Sequence, residues 1–116
     1  MMKNKSSIHG IGIDLAKISR FENQPTLAKR VLSSNEYQVY LSHHQPSQYL
    51  AGRFAAKEAF IKAYRSPITP ALSEIEVLTE NDGAPFILFH KQKINLSISH
   101  DGEYAVAMVI IEKANL

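Results

Sequence analysis

The chain has no cysteine and no tryptophan. The first absence removes disulfides, thiolate zinc sites, iron–sulfur clusters and cysteine nucleophiles together. An excess of charge of one sign is also missing: thirteen Lys plus Arg against eleven Asp plus Glu leave a formal +2, with five His counted neutral. That balance, without interleaved aromatic and basic residues, argues against a nucleic-acid partner. The longest apolar run, Tyr104 to Ile111, falls far below the roughly twenty residues of a membrane span. Residues Met1 to Ser7 are basic, but no apolar stretch or small-residue cleavage site follows, so no signal peptide is expected.

Repeats, low-complexity tracts and linkers are missing as well, and residues 1–116 are expected to fold as a single domain. What is present, 45% hydrophobic and 21% charged residues, is the composition of a globular protein. A domain of this size buries about two-thirds of its unfolded surface, enough for one core but not for a deep private cavity. An active site is therefore expected to draw on a neighbouring subunit. A cytoplasmic, metabolite-handling protein with no membrane association is the expectation.

From Ile8 to Leu15 a period of two sets Ile11, Ile13 and Leu15 on one face and Gly10, Gly12 and Asp14 on the other, which predicts a strand with an apolar side and an empty side. Ala16 to Ser42 is helix-like, interrupted at Asn23–Thr26, where Thr26 is a candidate cap. Ser47 to Tyr64 predicts a core helix with Leu50, Phe54 and Ile61 on one stripe, flanked by Ala51, Ala55 and Ala59, and ended by Pro67 and Pro70. EIEVLTE and PFILFH read as strands around Asn81–Ala84, and INLSISH and EYAVAMVIIE as a hairpin on Asp101–Gly102. This order of elements predicts an α+β layer fold.

Gly10-Ile11-Gly12 begins like a dinucleotide fingerprint, but Leu15 stands where its third glycine belongs. Asp14 shares a face with two glycines, which leaves room for a bulky group to approach the carboxylate; its other reading is a cap for the following helix. Glu58 and Lys62, four apart, have the spacing of a surface ion pair, yet helical projection puts Glu58 inside the apolar arc, where a carboxylate needs a partner or a cation. Arg53 and Lys57 fall on the opposite border, so the helix offers one acid among three bases, a set suited to a metal ion and a polyphosphate. His100 ends a strand, and no Ser-His-Asp spacing accompanies it. Hard oxygens from Asp14 and Glu58, without Cys or paired His, point to Mg²⁺ rather than Zn²⁺. Lys17, Arg20, Lys29 and Arg30 surround the single Glu22. That segment is either a solvated helix face or a docking surface for an acidic partner.

GIGIDL followed by Arg20, LAGRFAAKEAFIKAY, the DGAP turn and SISHDGEYAVAMVI together resemble the holo-acyl-carrier-protein synthase family, the small 4′-phosphopantetheinyl transferases. The likeness runs in order from about Ile8 to Glu112. It implies a single-domain fold with an antiparallel sheet packed against a long core helix. The implied activity, a step in fatty acid biosynthesis, is Mg²⁺-dependent transfer of 4′-phosphopantetheine from coenzyme A to a serine of apo-acyl carrier protein, releasing adenosine 3′,5′-bisphosphate. It further implies a homotrimer with sites between subunits. By position, Asp14 and Glu58 match the family's metal ligands and Lys62 its lysine near the phosphates. His100 matches the histidine at the nucleotide end of coenzyme A. Arg53, Gly83 and Pro85 match cleft-lining positions, and Arg20 matches the arginine that meets the carrier protein.

The implied chemistry is in-line attack of the carrier serine on the β-phosphorus, with Lys62 serving the departing phosphate. The serine's base stays open between Glu58 and a water on the metal. Two departures stand out: Tyr64-Arg65-Ser66-Pro67 replaces a Gly-rich turn, and the region around Asn23–Thr26 is shortened. Arg65 either reaches a phosphate or faces solvent at a helix C-terminus. The alternatives to this transferase are a carrier-protein or nucleotide-binding module without turnover, and a metal-dependent phosphohydrolase using water as the nucleophile.

Overall fold

A computed structural model describes residues 6–116; the basic opening segment lies, over residues 1–5, outside the described residues. Five strands, β1 (Ile8–Lys17), β2 (Glu76–Thr79), β3 (Pro85–Phe89), β4 (Gln92–Asp101) and β5 (Tyr104–Glu112), form one sheet in the order β1-β5-β4-β3-β2. Every neighbouring pair is antiparallel. Three helices, α1 (Pro25–Val31), α2 (Ser34–Ser42) and α3 (Pro46–Tyr64), connect β1 to β2. The expected α+β architecture, an antiparallel sheet against a long helix, is what forms. No helix among the described residues is long and apolar enough to cross a membrane.

Turn chemistry explains the hairpins. Gly102 takes φ 57° between β4 and β5, and Gly83 takes φ 91° between β2 and β3, where the Glu80 amide donates to Ala84 O at 2.8 Å. The β3–β4 turn carries neither glycine nor asparagine, yet His90 and Lys91 both adopt positive φ, 47° and 65°. Stacking of the His90 ring on Phe89, 4.0 Å between centroids, accompanies this turn.

The empty side of β1, not its apolar side, faces the core. Gly10, Gly12 and Ala16 are buried under α3, whereas Ile11, Ile13 and Leu15 are 56%, 59% and 62% exposed. The glycine face is not open space beside Asp14, because the α3 backbone fills it. A Cβ on Gly12 would lie 1.8 Å from Ala59 O, and one on Gly10 would lie 1.9 Å from Ala63 O. On the helix side Ala55, Ala56, Ala59 and Ala63 are fully buried, so small residues on both elements let the backbones approach. The larger stripe of Leu50, Phe54 and Ile61 projects away from this contact, with Phe54 on Phe21 at 5.1 Å between centroids. The helix is thus covered on more than one side.

Lys57 lies in the core, not on a cationic border. Its ammonium donates to Glu36 Oε1 at 2.5 Å and Val31 O at 2.7 Å, and Glu36 Oε2 accepts the Val77 amide at 2.7 Å. Glu36 also closes a capping box with Ser33 at the start of α2. One ion pair thereby joins α1, α2, α3 and β2. Burial depresses the lysine pKa, while Glu36 raises it in opposition.

Gly12→Ala should destabilise the protein by about 3 kcal/mol, the upper part of the range for overpacking, because the clashing atom is backbone. Denaturant unfolding of the variant checks this; a change below about 0.5 kcal/mol, the scatter of neutral surface substitutions, would mean that the helix–strand contact is looser than described.

Candidate active site

The α3–β1 contact sets the geometry of the site. Asp14 follows the two glycines on the helix-facing side of β1, and Glu58 and Lys62 lie on the adjoining flank of α3. Lys62 Nζ donates to Ile13 O at 2.8 Å and to Asp14 Oδ1 at 3.3 Å. The lysine side chain is 55% exposed and that of Asp14 18%. Glu58 is half-buried, and its side chain has no hydrogen bond or ion pair among the described residues. Burial raises its pKa first and the nearby Asp14 charge second, with Lys62 opposing. Two carboxylates and one ammonium thus converge from two elements.

Arg53, Gly83, Pro85 and His100 do not join them. Arg53 and Glu58 are five residues apart on one helix, about 140° around its axis. The Arg53 guanidinium instead stacks over Tyr49 at 4.1 Å, in a cavity of about 230 Å³ shared with Glu36 and Val77. His100 is exposed and packs its ring over Gly52, its Nε2 3.1 Å from where a Cβ would stand. Gly83 lies in the β2–β3 turn and Pro85 opens β3, three strands from β1. Arg20 is exposed in the single helical turn after β1, with Lys29 and Arg30 exposed on α1.

Arg65 is exposed at the C-terminal end of α3, the second of its two expected courses, and it adds a contact to β1. It ends α3 in the left-handed region at φ 58°, and its Nη1 donates to His9 O at 3.1 Å. His9 Nε2 returns a contact to Tyr64 O at 2.8 Å. Sequence reasoning missed Glu36; the Ser33-x-x-Glu36 spacing was the available signal.

A family model for the 4′-phosphopantetheinyl transferase superfamily matches residues 10–109. A holo-[acyl-carrier-protein] synthase of Bacillus pumilus is 44% identical over 117 residues, covering 91% of this chain and 97% of that protein. The chain belongs to the holo-[acyl-carrier-protein] synthase family. The Bacillus subtilis member is 39% identical over 117 residues, covering 91% and 97%. Among solved structures, the synthase from Bacillus anthracis in complex with CoA (3′,5′-ADP) has a TM-score of 0.81 at 37% identity, covering 90% of this chain and 96% of that one. The Neisseria meningitidis synthase has a TM-score of 0.83 at 28% identity, covering 91% and 99%. Holo-[acyl-carrier-protein] synthases are phosphopantetheinyl transferases, and phosphopantetheine transfer from coenzyme A to apo-acyl carrier protein is the activity of this chain.

For such a synthase the donor set of Asp14 and Glu58 fits a hard divalent cation. No three His, Cys, Asp or Glu cluster among the described residues, so the protein alone builds no cage. Mg²⁺ takes one or two carboxylates and fills its shell with waters and substrate phosphates. The half-buried Glu58 carboxylate, without a protein donor, is the group such an ion would satisfy.

A carboxyl whose folded pKa lies above its unfolded value binds more protons in the native state, so stability falls as pH rises through the interval between the two. Glu58→Gln should therefore be more stable than the parent protein at neutral pH. The difference should vanish below the ordinary carboxylate range, where both side chains are neutral. Thermal unfolding of both proteins across pH reads this directly, and a pH-independent difference would refute it.

Proposed function

We propose that the protein runs this transfer with Mg²⁺ at a site built from Asp14, Glu58 and Lys62, completed by Arg53, Gly83, Pro85 and His100 of an adjacent copy in a cytoplasmic homotrimer. Residues 1–116 serve as one transferase domain. The observation that carries the reading is the convergence of Asp14, Glu58 and Lys62 across the α3–β1 contact.

When bound, Mg²⁺ supplies neutralisation of the coenzyme A pyrophosphate. Asp14 and Glu58 hold it, and the raised basicity of Glu58 strengthens its ligation. The exposed Lys62 side chain can swing from Asp14 and the Ile13 carbonyl to follow the departing phosphate. In the reaction the carrier serine Oγ forms a bond to the β-phosphorus, the bridging P–O bond breaks, and adenosine 3′,5′-bisphosphate leaves. Glu58, whose carboxylate has no protein donor, is a candidate acceptor for the serine proton.

Two features support sharing between copies. Arg53 and Glu58 face opposite sides of α3, so a cofactor held by both must touch two copies. The outer face of the sheet is apolar for a surface: Ile11, Ile13 and Leu15 on β1 stand opposite Ile110, Met108 and Val106 on β5, and Met108 is itself 40% exposed. A continuous apolar patch of this kind marks an interface. Arg20, Lys29 and Arg30 at the end of β1 and on α1 form the docking surface for the acidic carrier protein.

Incubation with coenzyme A, Mg²⁺ and apo-acyl carrier protein should yield the phosphopantetheine adduct by mass spectrometry, and Asp14→Asn should abolish it while circular dichroism stays unchanged. Release of free 4′-phosphopantetheine and adenosine 3′,5′-bisphosphate without adduct would favour a hydrolase, and binding without product a non-catalytic module. Arg20→Glu should raise the KM for carrier protein roughly tenfold through lost steering and added repulsion, with coenzyme A binding unaffected. An equal loss for both substrates would place Arg20 in the cofactor cleft. Ile13→Glu should convert a trimer, seen by light scattering, into monomers without activity; an active monomer would contradict the shared site.

A further inference from the structure

We infer that the Lys62 ammonium is a resident counter-ion of the candidate metal site, held on Asp14 and the Ile13 carbonyl until a divalent cation displaces it toward the substrate phosphates. This deepens the metal reading of Asp14 and Glu58 and rests on it.

The hydrogen bonding shows a choice. Glu58 lies four residues before Lys62 on α3, in the orientation that favours a helical ion pair. The ammonium nevertheless reaches across to β1, donating to Asp14 Oδ1 and Ile13 O, and leaves the Glu58 side chain without a hydrogen bond among the described residues. One positive charge therefore serves two negative ones, and the site keeps a net negative charge. A single divalent cation balances both carboxylates. Once that charge is present, the ammonium on Asp14 faces a like charge within contact distance and loses its reason to stay.

Lys62 is suited to leave. Its side chain is 55% exposed, so its departure opens no cavity, and it keeps a four-carbon stem that can swing about its Cα. Ile13 O sits on the solvent-facing edge of β1, where water replaces the lost donor. The empty site is thus kept from self-repulsion by the same cation that the loaded site turns toward the leaving group. A lysine fixed in its ground-state contact could not serve both.

The test is metal binding without coenzyme A, with Mn²⁺ as the probe and free ion followed by electron paramagnetic resonance. Lys62→Met and Lys62→Gln, which lack the competing charge, should bind Mn²⁺ roughly three- to fivefold more tightly than the parent protein, the range that an exposed ion pair sustains. Lys62→Arg, which keeps the charge, should bind like the parent protein. If both neutral variants bind Mn²⁺ equally or more weakly, Lys62 is no counter-ion to the site and the inference falls while the carboxylate site stands. If neither the parent protein nor any variant binds Mn²⁺, with or without coenzyme A, the metal reading itself fails. Using two neutral variants guards against misfolding of either one.

Discussion

The arrangement depends on how closely α3 lies on β1. Two glycines on the strand and a run of alanines on the helix bring backbone against backbone, with no side chain between them. Only at that separation can Lys62, at the flank of the helix, reach both a strand carbonyl and the Asp14 carboxylate. Bulkier residues at the contact would lift the helix and draw the acids apart. Packing and chemistry are therefore one constraint here, and the site sits on two rigid elements rather than on loops.

The opposite flank of α3 is fixed by other means. There the buried Lys57–Glu36 pair, with the Val31 carbonyl and the Val77 amide, ties the helix to α1, α2 and β2. Each charge has hydrogen-bonding partners, which is the condition for tolerating such a pair in a core. Glu36 shares a cavity with Arg53 and Tyr49, so the pair also holds that wall of the helix in place. One flank is aligned by close contact, the other by a directional polar network.

Much of this was legible in the sequence. The grouping of Asp14 with Glu58 and Lys62 is what the family resemblance implies, and the bounds of α3 and the Asp101–Gly102 hairpin follow from periodicity and turn chemistry. The faces of β1 did not, because alternation defines two faces without saying which is inward. The helix seated itself on the empty one. Lys57 escaped for a related reason: its burial depends on Glu36, twenty-one residues upstream, and projection of a single helix contains no such partner. The His90–Lys91 turn was equally hidden, since neither residue favours positive φ. Which residues lie on one side of α3 was readable, but what a second copy adds is not a property of one chain's pattern.

The free edge of β1 has a further consequence. Lys62 and Arg65 donate to the carbonyls of Ile13 and His9, four residues apart along that edge, and their charged heads stand where an added strand would have to pair. An incoming β-strand would have to displace two solvated cations to extend the ladder. The open rim of the sheet is thereby denied to strand addition, while the broad apolar face is left available. Edge-to-edge stacking, which propagates without limit, is disfavoured as a result. The same two cations that tie α3 to β1 thus also act against fibrous growth.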